Sequence, residues 1–113
     1  MHELSVAIGI VNIAEKETQK ANKSKVELIE LEIGSISGVE LDSLEYVCDA
    51  AVKGTVLEGA VKKIDFIEAQ AKCLECELVF KVEKVYDSCP KCNSYFKEIL
   101  KGKELRVISL EVS

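Results

Sequence analysis

The stretch CLECELVFKVEKVYDSCPKC, residues 73–92, decides how the rest of the chain is read. It sets Cys73, Cys76, Cys89 and Cys92 in a C-x2-C pattern repeated across twelve residues. A C-x2-C pair on a tight turn can aim two thiolates at one point. The intervening residues are expected to form a hairpin that brings the two turns together, giving four sulfurs in a tetrahedron. Four protein ligands leave no open position for a substrate, so the site suits structural rather than catalytic zinc. Two alternatives stand beside it. One is rubredoxin-like iron, which the Cys89-Pro90-Lys91-Cys92 run resembles. The other is redox dithiols or disulfides.

The cysteines lie in a segment of distinct character, residues 70–100, which holds four of the six aromatics and little helical periodicity. Within it, 78–85 reads as a strand. A segment this short cannot bury enough apolar surface to fold alone. Zinc can contribute on the order of 10 kcal/mol to such a module. Five Lys and five acidic residues make it neutral, so Phe80, Tyr86, Tyr95 and Phe96 are expected to form its own small core rather than stack on bases. Lys101-Gly102-Lys103 reads as part of the exit hinge.

Outward from the module, periodicity assigns the flanks. Residues 3–21 read as a helix, with Leu4, Ala7, Ile8, Val11 and Ala14 at i, i+3, i+4, i+7 spacing. Val6, Ile10 and Ile13 widen that stripe, so the first half of the helix is expected to be nearly buried. Residues 25–33 read as a strand, with Ile29, Leu31 and Ile33 on one face. A second helix is expected over 39–53, opened by a capping box of Ser37 with Glu40 or Asp42 with Glu45. Residues 60–69 and 104–112 read as strands, the last with both faces partly covered. Cys48 falls on the apolar stripe of the second helix and reads as a small buried hydrophobe.

The single histidine is His2. A histidine near a terminus is ordinarily only solvated. Here the free amine of Met1, the amide nitrogen of residue 2 and the His2 imidazole can close fused chelate rings around one metal. Three nitrogens in a plane favour the tetragonal geometry of Ni(II) or Cu(II). The amine and imidazole both lose protons near neutrality, so the site should be pH-sensitive. Glu3 or another carboxylate can add an oxygen ligand.

Taken together, the opening Met1-His2-Glu3-Leu4-Ser5, the cysteine spacing at 73–92 and the terminal ELRVISLEV resemble the HypA/HybF family of nickel metallochaperones over essentially the whole chain. The resemblance implies an α+β fold: two helices on a three-stranded sheet, with an inserted zinc-ribbon-like module of four cysteines. It divides the chain into a nickel-binding domain, 1–69 plus 101–113, and a zinc module, 70–100. It implies His2 as the nickel ligand with Met1 and Glu3 as neighbours, and Cys73, Cys76, Cys89 and Cys92 as zinc ligands. Glu40 matches a position where some members place an acidic nickel ligand. Ni(II) is then transferred cargo and Zn(II) a structural ion. The implied partners are a nickel-handling GTPase and the large subunit of nickel–iron hydrogenase, with urease as a second possible recipient.

Composition sets the outer limits. The chain has 113 residues, 48% hydrophobic and 31% charged, with a net charge of -5. That is an ordinary globular mix and a poor general binder of nucleic acid or anionic membrane. The start carries no basic n-region, so a reducing cytoplasmic setting is expected, where paired cysteines are more often metal ligands than disulfides. A phosphate loop, a Ser/His/Asp set and an open zinc site are all missing, so no enzymatic activity is expected. A monomer or weak homodimer is expected. A zinc-ribbon adaptor for proteins or RNA, without nickel, is the rival reading.

Overall fold

A computed structural model describes residues 3–113, in the order α1 (Glu3–Lys20), β1 (Val26–Gly34), α2 (Leu41–Ala51), β2 (Val61–Ile67), β3 (Gln70–Cys73), β4 (Val79–Lys81), β5 (Lys97–Lys101) and β6 (Leu105–Val112). One sheet has the order β2-β1-β6 and the other β4-β3-β5. The architecture is α+β. Among the described residues no helix is long and apolar enough to cross a membrane.

The chain divides into two compact units. One comprises the residues up to 31 with 39–65 and 106–113; the other comprises 32–38 and 66–105. In the first unit, Ala14 of α1 packs with Val26, Ile29 and Leu31 of β1 and with Leu57. Val107, Leu110 and Val112 of β6 close over the same core. Lys25 and Ser113 exchange N–H···O bonds at 3.2 and 2.9 Å, and further along Gly34 N–H meets the Glu104 carbonyl, so β1 and β6 run antiparallel. The alternation of β1 follows from Ile29, Leu31 and Ile33 pointing inward between glutamates.

The apolar stripe of α1 is less buried than its spacing implies. Its buried line runs through Ala7, Ala14 and Thr18, while Leu4 and Ile8 are 57% and 49% exposed. Ile8 is turned about 100° from Ala7 around the helix, and Leu4 sits on the first turn. Thr18 tolerates burial because its hydroxyl donates to the Ala14 and Glu15 carbonyls. On β6, Leu105 and Ile108 are exposed, while Val107 on one face and Leu110 and Val112 on the other are half-buried, so both faces are partly covered.

In the second unit, β3 is the central strand, antiparallel to both neighbours. Its core is Ala69, Ala71, Cys73, Phe80, Val82 and Cys89, with Ile36, Leu78 and Ile99 against it. Two expectations fail here. The spacer does not form a hairpin of its own: β4 is three residues long and pairs with β3 instead. Beyond it the Asp87 carboxylate accepts the Glu83 and Lys84 N–H groups at 2.9 and 3.0 Å, which bends 83–87 into a turn. Those same bonds, Lys84's first, hold the Asp87 carboxyl below its usual pKa. Nor do the aromatics fill the core. Phe80 is buried, but Tyr86, Tyr95 and Phe96 are exposed.

The exit through Lys101-Gly102-Lys103 is built around a buried glycine. Gly102 has φ +115° and accepts the Ile36 N–H through its carbonyl at 2.9 Å. A Cβ at residue 102 would overlap Ala69, and one at residue 34 would overlap the Gly102 carbonyl. Gly102 is therefore needed for both its conformation and its lack of a side chain. Gly102→Ala is expected to lower stability by about 3 kcal/mol, read as a shift of the urea midpoint; an unchanged midpoint would show that the approach of residues 69 and 102 is slack.

Candidate metal centre

Each cysteine pair is set by a matching turn. Cys73 N–H donates to the Leu78 carbonyl at 2.8 Å, and Glu77 N–H returns to the Cys73 carbonyl at 3.0 Å. Sixteen residues on, Cys89 N–H donates to Ser94 and Asn93 N–H returns to Cys89, both at 2.8 Å. The residue after each pair is left-handed, Glu77 at φ 65° and Asn93 at φ 62°. Asparagine visits that region readily, whereas glutamate does so at a cost. Leu74 N–H bonds the Phe96 carbonyl at 2.9 Å, tying the first turn to the segment after the second.

The two turns bring all four sulfurs within 4.8 Å of one another. Cys73 Sγ lies 3.5 Å from Cys92 Sγ, and Cys76 Sγ lies 3.5 Å from Cys89 Sγ. A disulfide is about 2.05 Å long, and all five cysteines are free thiols in this structure. A tetrahedron with metal–sulfur bonds of about 2.3 Å has edges of roughly 3.8 Å. The sulfurs therefore already stand at nearly the spacing a tetrahedral thiophilic ion requires. Cys73 and Cys89 are buried, Cys76 is half-buried and Cys92 is exposed.

The cluster's electrostatics also call for a cation. Backbone N–H donation from Cys76, aided by Glu75 and the neighbouring sulfurs, brings the Cys73 thiol down to about 6. Cys92 has a favourable N–H from Ser94, but lost solvation and the three other sulfurs push it up to about 12. Leu78 N–H likewise favours the Cys76 thiolate, yet lost solvation and the Cys89 and Cys73 sulfurs raise it. At Cys89, burial opposes charge, and N–H groups from Cys92 and Lys91 overcome it, lowering the pKa. Two of the thiols, Cys73 and Cys89, are eased toward the thiolate and the other two are held back from it; a divalent ion removes that conflict. Cys48 lies apart on α2, buried, and burial raises its thiol, as expected of an inert hydrophobe.

The other candidate site is described only from Glu3 onward; Met1 and His2 lie outside the described residues. Glu3 opens α1, and its Oε2 accepts the Glu40 backbone N–H at 3.4 Å. Glu40 is the N-cap of α2 but makes no side-chain cap bond to the backbone. Its carboxylate instead accepts the Ser43 hydroxyl at 3.0 Å. The cap is thus one residue before the Leu41 start, and Glu40, rather than Ser37 or Asp42, occupies it. Glu3 and Glu40, 37 residues apart, are brought together. Periodicity and motif spacing did not pair them, because the contact is between two helix starts; the family resemblance alone set both beside one implied metal.

A family profile described as hydrogenase/urease nickel incorporation, metallochaperone, hypA matches residues 1–112. This chain belongs to the HypA family. A hydrogenase maturation factor HypA from Parabacteroides distasonis is 46% identical over 112 residues, covering 99% of this chain and 97% of the relative. Another from Azotobacter chroococcum mcd 1 is 38% identical over 112 residues, covering 99% of each. The solution structure of the Ni metallochaperone HypA from Helicobacter pylori superimposes with a TM-score of 0.69 at 28% identity, covering 99% of this chain and 97% of that one. HypA is a family of metallochaperones rather than catalysts.

Two outcomes follow for this HypA-family chain. Loading the cluster requires Cys92 to lose its proton, so metal held against a fixed chelator is expected to fall as pH drops from 8 toward the Cys73 value of about 6. A competition assay with a chromophoric chelator reads this; retention independent of pH would contradict thiolate ligation. Separately, Glu77→Gly is expected to stabilise the metal-loaded protein by about 0.5–1 kcal/mol and Glu77→Val to destabilise it by about 2 kcal/mol, both measured by urea unfolding.

Proposed function

We propose that this chain carries Ni(II) at its N-terminus and delivers it for maturation of nickel–iron hydrogenase or urease, while Zn(II) at Cys73, Cys76, Cys89 and Cys92 holds its second unit together. The observation that carries the reading is the Glu3–Glu40 contact within a family match that starts at residue 1. Glu3, the residue that follows His2 in the sequence, accepts the Glu40 backbone N–H, and Glu40 itself is exposed.

In this reading the Met1 amine, an amide nitrogen and the His2 imidazole supply planar nitrogen ligands, and the carboxylate of Glu40 is a further oxygen donor. Glu3 is a second candidate oxygen donor. So few ligands leave open positions on the metal. Transfer by ligand exchange then needs no unfolding of the carrier. The four-sulfur site is closed and thiophilic, so it retains its ion while nickel comes and goes. A nickel-handling GTPase and the hydrogenase large subunit are the proposed partners, in the cytoplasm. The exposed Leu74, Tyr86, Tyr95 and Phe96 favour protein contact over solvent at the second unit. They are also what a nickel-free adaptor would use, so His2 separates the two readings.

Nickel titration by calorimetry on protein with an untagged N-terminus is expected to give one site beyond the tightly held zinc. His2→Ala should weaken it by at least about tenfold, on the order of 1.4 kcal/mol. A single residue added before Met1 should do the same by moving the amine out of chelating range. Equal affinity in all three proteins would leave the adaptor reading. Purified protein should be colourless; a red protein would place iron at the four cysteines.

A further inference from the structure

We infer that the four cysteines have a second, metal-free state, in which hydrogen peroxide joins Cys73 to Cys92 and Cys76 to Cys89 and the ion is expelled. The inference rests on the reading of these cysteines as a metal centre and is independent of nickel at the chain start.

The way the sulfurs fall into pairs carries it. Cys73 Sγ and Cys92 Sγ are 3.5 Å apart, as are Cys76 Sγ and Cys89 Sγ. Each close pair joins one turn to the other, and neither lies within a C-x2-C unit. Closing 3.5 Å to a disulfide of about 2.05 Å moves each sulfur by about 0.7 Å, within reach of a small side-chain rotation. The Cys76–Cys89 pair spans 13 positions and lies inside the Cys73–Cys92 pair, which spans 19, so the two bonds are nested. Accessibility divides each pair in the same way. Cys92 is exposed and Cys73 buried; Cys76 is half-buried and Cys89 buried. An oxidant therefore meets one sulfur of each pair first, and a buried partner stands 3.5 Å behind it.

The chemistry balances pair by pair. The accessible thiolate attacks peroxide: an S–O bond forms, the O–O bond breaks and hydroxide leaves, giving a sulfenic acid. The buried thiolate then attacks that sulfur: an S–S bond forms, the S–O bond breaks and a second hydroxide leaves. Two protons from solvent turn both hydroxides into water. Each pair thus loses two electrons to one peroxide. The ion leaves with its charge unchanged, because a disulfide sulfur is no longer a thiolate ligand. The crosslinks hold the two turns together as the ion did. They constrain the unfolded chain of a unit whose apolar core is small, so the oxidised unit stays folded and regains its ion on reduction. Pairing within each C-x2-C unit would leave the turns unjoined.

The test treats zinc-loaded protein with hydrogen peroxide and reads released zinc with a chromophoric chelator. Remaining thiols are blocked with iodoacetamide. The chain is then cut with trypsin and a glutamate-specific protease at mildly acidic pH, where disulfides do not reshuffle. Cuts after Lys72, Glu75, Lys84, Lys91 and Lys97 place the four cysteines on separate peptides. Mass spectrometry is expected to find 73–75 joined to 92–97 and 76–77 joined to 85–91, with Cys48 unlinked. About two peroxides should be consumed for each zinc released, one per disulfide. Dithiothreitol with added zinc should restore the metal content, and C48A should behave as wild type. Links within either C-x2-C unit, links to Cys48, or sulfinic acids in place of disulfides would overturn the proposal. So would zinc retained after the thiols are consumed. If the protein could not be loaded with zinc, the metal-centre reading would fall, while the peptide map would still decide the pairing.

Discussion

Four cysteine sulfurs held within 4.8 Å of each other cannot all be charged unless a cation sits among them. The second unit is organised around that constraint. Two turns with the same hydrogen-bond pattern present the sulfurs, and each spends a left-handed residue to do so. The apolar core beneath is small, largely alanine, valine and one phenylalanine, with two of the cysteines among its buried members. A unit with so little to bury would gain cohesion from an ion held by those sulfurs. Tyr86, Tyr95 and Phe96 lie exposed outside that core.

The first unit meets its needs differently. It has a conventional core between α1 and the strands, with Ile29 and Leu31 at its centre. Its candidate site lies where the starts of two helices meet. Helix starts are rich in unsatisfied N–H groups and positive potential, and Glu3, Glu40 and Asp42 gather there. In the proposed reading a structural ion would sit in a closed thiolate shell and an ion in transit would meet nitrogen and oxygen donors, so each site would prefer a different metal by ligand type alone.

Much of this was legible in the order of residues. The positions of both helices and three of the long strands follow from apolar spacing, because 3.6- and two-residue periods are local properties. The convergence of Cys73, Cys76, Cys89 and Cys92 follows from their spacing, because each C-x2-C turn is closed within a few residues. Reading failed where the outcome depended on distant packing. The residues between the cysteine pairs formed one short strand that joined β3, since Asp87 captured the N–H groups of Glu83 and Lys84. Tyr86, Tyr95 and Phe96 stayed outside because Ala69, Ala71 and Phe80 already filled the space around β3.

The sequence by itself determined which atoms were available: four thiols in two matched pairs, one imidazole beside the chain start, and acidic residues at the heads of two helices. Tertiary structure alone decided which of them meet. Glu3 reaches Glu40 across 37 positions, and Gly102 lies so close to Ala69 and Gly34 that no side chain fits between them. Periodicity and motif spacing act over a few residues of chain, whereas such approaches are set by how whole elements pack, and packing distances leave no mark on either partner's neighbours.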